Sequence, residues 1–504
     1  MSAGEAVRID LDALRAEFAA SPGAGRLQPL GLGRVIDGEG ALDELARAVA
    51  DFPRSGEGVV VLAAATPMRV AGWDLRAEAT EVLGRGFAVD WVTLGPADGQ
   101  VHADEETVAA ARRATAGAGC VVTIGSGTIT DIGKVSTSIG TPLVAVQTAT
   151  SVNGYADSFS VLLRRGVKRT SASRWPDTLL IDPAILRAAP PELNRAGVGD
   201  LMAMFTATAD WYLASAVSDA CHLDTAAARG EPHYNATVAG IVRAHGGRLL
   251  ALAAGLAADS AATAGPAATA GLGVSAETQL ADGLDELARI LTLSGIAMGV
   301  AGSTAPASGM EHAVSHLLEM AATARAERAS FHGTQVGVAS VVAAATWAHV
   351  RRRIDAGALG QPGRIPDPDQ ARERIREAFT GIDPTGTMAA ECFADYAAKL
   401  RPLAADGDPL AGLRTGWDGH EAMLSETLIG PAELARGLRS AGLPASFGEL
   451  AEPVSDADAR WAVANCPLMR QRFGVADLAM LLGAWEEDDI DEVLADAAVL
   501  TGQP

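Results

Sequence analysis

The sequence predicts an α/β domain built on a parallel sheet, followed by an all-helical domain. Three observations predict it. Short β-branched runs alternate with helix-forming segments from Gly58 to about Asp182, one of those runs ends in a glycine-rich turn, and such runs vanish after about Pro190.

The runs are V-V-V-L-A-A-A, A-V-D-W-V-T-L-G, C-V-V-T-I-G-S-G, L-V-A-V-Q-T and T-L-L-I-D, each short enough for a buried strand. Between them, D-L-R-A-E-A-T-E-V-L-G-R-G and D-E-E-T-V-A-A-A-R-R-A-T-A-G-A place apolar residues at helical spacing, the alternation of a parallel sheet with crossover helices. Beyond Pro190 alanine- and leucine-rich stretches with polar interruptions read as helices to the end. The expected division is 1–187 for the sheet domain and 188–504 for the helical one. The stretch from Gly357 to about Thr385, rich in Gly, Pro, Asp and Arg, reads as a loop-rich insertion.

Composition sets limits on function. At 504 residues, 48% hydrophobic and 20% charged, the chain is long enough for two cores. A formal net charge of -22 repels phosphate backbones and anionic membrane surfaces, so neither nucleic acid nor membrane is an expected partner. Cys120, Cys221, Cys392 and Cys466 stand far apart and read as buried thiols in a reducing compartment. The N-terminus lacks the apolar core of a signal peptide, which makes the cytoplasm the expected location. Leu249 to Val274 is alanine- and glycine-rich and broken by Asp259, Ser260 and Pro266. It reads as packed helices and a loop, not a membrane span.

The run V-V-T-I-G-S-G-T-I-T-D-I-G-K passes from a strand through Gly125, Ser126 and Gly127 into a helix beginning near Thr128. Glycines let backbone approach a diphosphate, and free amides at a helix start bind it. The pattern is not G-x-G-x-x-G, and a plain tight turn explains it equally well. The next strand ends in Q-T-A-T-S-V-N-G-Y, whose hydroxyl and amide groups sit where open α/β sheets bind ligands.

Asp200 follows A-G-V-G, and its structural reading is a helix N-cap. Ser308 and Glu311 in S-G-M-E form the pattern of a capping box, followed by His312 and His316 on one helix face. A second helix is expected to start near His332. Two imidazoles and one carboxylate suit zinc, nickel or ferrous iron and leave room for a substrate oxygen. Each histidine taken singly reads equally well as a structural residue.

Taken together, G-S-G-T-I-T-D-I-G-K, T-A-T-S-V-N-G, A-G-V-G-D, P-A-S-G-M-E-H-A-V-S-H and F-H-G-T-Q-V-G resemble the glycerol-1-phosphate dehydrogenase branch of the iron-containing alcohol dehydrogenase superfamily. The order and spacing match over about residues 30 to 350, and R-Q-R-F-G-V-A-D-L resembles the branch's closing helices. The resemblance implies a Rossmann-like nucleotide-binding domain, an all-α C-terminal domain of the dehydroquinate synthase-like fold, and a catalytic cleft between them. It implies NAD or NADP as cofactor and one divalent metal, zinc before nickel or iron, held by Asp200, His312 and His332. His316 would face substrate or nicotinamide ribose as a proton relay. Gly125, Ser126, Gly127, Thr128, Ile129 and Asp131 would hold the cofactor diphosphate, and Thr148 and Ser151 would line the nicotinamide side. Lys134 reads as structural. The implied reaction interconverts dihydroxyacetone phosphate and sn-glycerol-1-phosphate, or a closely related small polyol or its phosphate, in a homodimer or larger homo-oligomer.

Two positions depart from the branch. Asn153 stands where an aspartate usually contacts the substrate hydroxyls, which keeps hydrogen bonding but removes charge. Ala64 stands where an acid commonly grips the adenosine ribose, so either nicotinamide fits. For a substrate phosphate, R-R-G-V-K-R-T-S-A-S-R-W offers a cationic hairpin, with Lys168 and Arg169 the leading candidates and Arg164, Arg165 and Arg174 beside them. The competing enzymatic reading is a sugar-phosphate cyclase of the dehydroquinate synthase type with transient NAD redox. Asp200 in the first ligand position argues against it.

Overall fold

Valine- and leucine-rich runs that alternate their side chains between two faces build one parallel sheet. The chain is described by a computed structural model over residues 7–96, 100–220, 233–253, 274–405 and 407–500. Its strands are β1 (Arg34–Asp37), β2 (Val59–Ala64), β3 (Arg69–Val70), β4 (Trp73–Asp74), β5 (Val89–Leu94), β6 (Cys120–Gly125), β7 (Leu143–Gln147), β8 (Phe159–Arg164), β9 (Val167–Ala172) and β10 (Thr178–Ile181). Six of them pair in the order β1-β10-β7-β6-β2-β5, every pairing parallel. Val61 lies opposite Val122, and Val122 opposite Val144. All five expected runs are strands, and β1 joins them as an edge.

Successive residues of β2 enter different cores, as a two-residue period requires. Val59 and Val61 pack with Leu75, Ala79 and Val82 of the helix Leu75–Gly84. Val60 and Leu62 pack with Val108, Ile129 and Ile132, from the helices Glu105–Thr115 and Gly127–Ser136. The helix that follows β2 therefore covers one face and the helix that follows β6 covers the other. Neighbouring strands whose connections leave in opposite directions form a topological switch point, the place where open α/β sheets bind ligands. Ala64 and Gly125 end the two strands that flank it.

The chain forms two units. One holds the described residues of Met1–Arg164, Lys168–Val198 and Gly255–Gly302, and the other those of Arg165–Val167, Gly199–Ala254 and Ser303–Pro504. The division thus falls inside the helix Pro191–Met202 rather than at 187/188, and the helix Val274–Ala301 returns to the sheet unit. That helix hydrogen-bonds through Arg289 to Asp37 at 2.5 Å, and Gly299 seats against the indole of Trp175.

In the second unit the helix His332–Asp355 is buried along almost its whole length from Gly333 to Trp347, which accounts for its small residues. It packs against the helices Met310–Ala324, Pro431–Ser440 and Glu487–Leu500. The loop-rich reading of 357–385 is corrected: Asp367 caps a helix over Pro368–Thr380 whose Ala371, Ile375 and Phe379 are buried. Proline at the first helical position, read from sequence as a breaker, here starts the helix. Most of Leu249–Val274, together with Cys221, lies outside the described residues. Cys120, Cys392 and Cys466 are buried, as expected. Among the described residues no helix is long and apolar enough to cross a membrane.

Candidate functional site

Asp200 lies inside the helix Pro191–Met202, not at its start. The N-cap reading is corrected because the helix already begins at Pro191, nine residues earlier in the chain. A carboxylate buried in a helix interior has no capping duty and requires a cationic or hydrogen-bonding partner. His312 supplies one: its Nε2 lies 3.5 Å from Asp200 Oδ1. His332 opens the helix His332–Asp355, as expected, and its ring centroid is 5.3 Å from that of His312. One ligand-capable atom from each of Asp200, His312 and His332 lies within 4.8 Å of the others.

Glycine permits this convergence. A Cβ on Gly199 would run into the carbonyl oxygen of Gly333, and one on Gly337 would lie 2.9 Å from the Cα of Gly199. Two helix backbones are therefore in direct contact, one residue before Asp200 and one after His332. Gly199 of A-G-V-G-D and Gly337 of F-H-G-T-Q-V-G serve this approach.

The S-x-x-E pattern does not form a capping box. Gly309 is the N-cap of the helix Met310–Ala324, with no side-chain cap, and Glu311 is used otherwise. Glu311 Oε1 faces His312 Nδ1 at 3.0 Å, while Oε2 accepts from Thr206 Oγ1 at 2.8 Å. Burial pushes the Glu311 carboxyl up, but His312, the Gly309 amide and Thr206 outweigh it and hold it below the usual range. Burial also favours neutral His312, yet Asp200 and Glu311 outweigh that and raise its pKa. The pocket is thus tuned for positive charge at the position of His312 Nε2. Buried Asp210 accepts from the amides of Met310 at 3.0 Å and Val475 at 3.1 Å, which fastens the start of the histidine helix. Burial, with Glu311 adding to it, raises its pKa to about 8.

His316 stands one turn beyond His312, its ring 5.3 Å from that of His332. Arg470 Nη2 donates to its Nδ1 at 3.1 Å. A guanidinium can only donate, so Nδ1 accepts and the ring proton resides on Nε2. His316 thus presents an N–H at Nε2. Arg470 also donates to Ser308 Oγ and to the Gly309 carbonyl, both at 3.3 Å. Glu311 and Arg470 were missed as site residues. Their only signals were a capping pattern and a lone R-Q-R near the closing helices.

In the sheet unit, β6 ends at Gly125, and Ser126 precedes the helix Gly127–Ser136 without capping it through its side chain. The positive end of that helix therefore remains available to an anion. A Cβ on Gly125 would lie 2.5 Å from Ile129 Cγ1, and one on Gly127 2.5 Å from Val152 Cγ2. Ser126 and Thr128 are half-buried at the turn, whereas Ile129 is a core residue whose amide bonds to Ser126 O. Its assignment to the diphosphate is corrected accordingly. So is that of Asp131, whose carboxylate accepts from the Val161 amide at 3.1 Å and lies 3.4 Å from Lys134 Nζ. Lys134 is structural as expected: buried, it donates to Gly154 O at 2.8 Å and Asp157 Oδ1 at 2.6 Å, fixing the segment after Asn153.

Thr148, Ser151 and Asn153 are buried in the segment that follows β7. Asn153 Nδ2 donates to Ser294 Oγ at 3.2 Å. Thr150 is tied to Asn194, a residue the sequence reading passed over. The cationic run forms the expected hairpin of β8 and β9, turned by Arg165 and Gly166 at positive φ. Lys168 and Arg169 stand half-buried on β9. Arg174 is removed from the phosphate candidates: it bonds Asp177 at 2.5 Å and Thr141 O at 2.6 Å.

The sequence profile of the iron-containing alcohol dehydrogenase family matches residues 36–190. Curated glycerol-1-phosphate dehydrogenases [NAD(P)+] are similar over much longer stretches. That of Bacillus licheniformis is 29% identical over 58% of this chain and 63% of its own length, so the match spans under two thirds of that relative. That of Methanothrix thermoacetophila is 28% identical over 69% of this chain and 86% of its own, and that of Bacillus subtilis 28% over 72% and 81%. These likenesses point to the same branch that the sequence motifs resemble. A similar fold is seen in a probable glycerol dehydrogenase from Sinorhizobium meliloti, which aligns with a TM-score of 0.53 at 16% identity over 94% of this chain and 99% of its own. Likeness to these dehydrogenases implies a nicotinamide and a metal, and the residues fit both. One carboxylate and two imidazoles converge in the helical unit, and an uncapped helix start lies at the switch point of the sheet unit.

Proposed function

We propose that this chain is a divalent-metal-dependent, NAD(P)-linked dehydrogenase that interconverts dihydroxyacetone phosphate and sn-glycerol-1-phosphate, or a closely related small polyol or its phosphate. The convergence of Asp200, His312 and His332, with His316 beside them, carries the reading. The similarity to curated glycerol-1-phosphate dehydrogenases supports the substrate class. A bound divalent cation supplies Lewis-acid polarisation of a carbonyl or alkoxide oxygen during hydride transfer. Asp200, His312 and His332 would hold it, with zinc the first expectation before nickel or iron. His316, its Nδ1 engaged by Arg470, presents an Nε2 proton suited to general-acid work on the substrate oxygen. Gly125, Ser126, Gly127 and Thr128 would take the cofactor diphosphate, Thr148 and Ser151 the nicotinamide side, and Lys168 with Arg169 the substrate phosphate. A homodimer or larger assembly in the cytoplasm completes the reading.

The test follows the near-ultraviolet absorbance of NADH and NADPH with the zinc-loaded protein. Oxidation on addition of dihydroxyacetone phosphate, with slower turnover of unphosphorylated dihydroxyacetone, is expected. No oxidation of either nicotinamide with either ketone overturns the proposal.

A further inference from the structure

The helix Met310–Ala324 presents His312, Ser315, His316 and Glu319 along one face, at the i, i+3, i+4 and i+7 spacing of a single stripe. Two carboxylates belong to this helix, and each meets the same atom of a different histidine. Glu311 Oε1 is 3.0 Å from His312 Nδ1. Glu319 Oε1 is 3.2 Å from His332 Nδ1, where Ser315 Oγ lies at 3.2 Å as well. An ionised carboxylate only accepts, so each contact places a proton on Nδ1 and, in the neutral ring, leaves the lone pair on Nε2. For His312 that nitrogen is the one facing Asp200 Oδ1.

We propose that Glu311 and Glu319 are positioning residues that fix the tautomer and ring orientation of His312 and His332, presenting both Nε2 atoms to one shared cation. This rests on the metal reading of Asp200, His312 and His332. Carboxylate partners of this kind raise ligand basicity and hold the ring against rotation. Ser315 supports the second pair by bridging His332 Nδ1 and Gln335 Oε1, the latter at 3.3 Å.

The rival use of Glu319 is as a ligand itself, because His316, Glu319 and His332 also bring ligand-capable atoms within 4.8 Å of one another. Arg470 argues against a cation there. Its guanidinium occupies His316 Nδ1, so Nε2 carries a proton and has no lone pair to give. It also places a fixed positive charge beside the set, which disfavours a second cation.

The full chain, stripped with a chelator, is titrated with Zn2+ against a chromophoric competitor. One ion per chain is expected for the native protein. E311A and E319A should each bind one ion roughly 10- to 100-fold more weakly, and E311Q and E319Q should recover part of the loss because the amide oxygen still accepts from Nδ1. Glu311 also bonds Thr206, so E311A could weaken folding; E319 lacks that bond and gives the independent measurement. Two ions in the native protein and one in E319A would make Glu319 a ligand and overturn the proposal. Native affinity in both alanine variants, with binding lost in H312A, would overturn it and leave the metal reading intact. Native affinity in H312A would remove the metal reading and this inference together.

Discussion

Gly199 and Gly333 meet backbone to backbone, with no room for a Cβ on the first against the carbonyl of the second. Asp200 follows one and His332 precedes the other, so this contact sets the distance between a carboxylate and an imidazole drawn from different helices. Over-packing a tight contact typically costs about 1–3 kcal/mol and displaces backbone. G199A is therefore expected to be less stable by about that amount and to bind Zn2+ more weakly than the native protein. Thermal melting of the stripped protein and a competitive zinc titration check it. Unchanged zinc affinity would show that the helices hold the ligands in place without this contact.

His316 and His332 are neighbours with different duties. H332A removes a proposed ligand and should abolish both bound metal and turnover. H316A should retain one zinc per chain while kcat falls roughly 10²- to 10⁴-fold, the range for losing a general acid or base. Metal analysis beside steady-state kinetics separates the two. Loss of zinc from H316A would place His316 among the ligands.

The difference between what the sequence disclosed and what it hid lies in the range of the interactions. The strands β2, β6, β7 and β10 were legible because β-branched periodicity is local, and His332 opens its helix where a local break said it would. The local reading of Asp200 as a cap fails because its helix starts nine residues earlier, at Pro191. Ser308 and Glu311 match a capping box letter for letter, yet Asp210, remote in sequence, takes the amide of Met310 and Glu311 turns to His312. Asp131 looked like part of an anion-binding helix start. Its real partners, Val161 and Lys134, are set by how the β8–β9 hairpin packs. The family motifs singled out Asp200, His312 and His332, which the fold brings together, because such motifs carry the outcome of long-range packing.

Asp131 also gives the sheet unit a pH dependence. Burial raises its folded value to about 6 from 3.8, although Lys134 and the Val161 amide pull it back. Because the folded value is the higher one, folding takes up a proton between the two. The contribution is most favourable below 3.8 and is lost as pH rises through about 6. Lys134 behaves differently. Burial would lower its pKa, but Asp157 and Asp131 raise it overall, so its contribution persists through neutrality and disappears only above the ordinary lysine range. D131N should therefore gain stability relative to the native protein as pH rises from about 4 through about 6, and keep that gain to about pH 8. K134M, which leaves two buried carboxylates without a cation, should lose about 3–5 kcal/mol near neutrality. Melting curves across that range decide both. A D131N difference that stays flat with pH would contradict the Asp131 assignment.

Ala64 ends β2 on one side of the switch point, and Gly125 ends β6 on the other. If the diphosphate lies at the helix start after Gly125, the adenosine ribose reaches the end of β2, where a short apolar side chain neither grips the hydroxyls nor repels a 2′-phosphate. Placing a carboxylate there supplies both effects. A64D should shift the ratio of kcat/KM for NADH over NADPH upward by about tenfold or more, equivalent to about 1.4 kcal/mol, with most of the change in the KM for NADPH. Ala64 is half-buried at a strand end, so the substitution should leave the melting temperature within a few degrees of native. Steady-state kinetics with both nicotinamides measure the ratio. A variant that keeps the native ratio and full stability would place the ribose away from β2, and the cofactor would have to enter the sheet unit elsewhere than at its switch point.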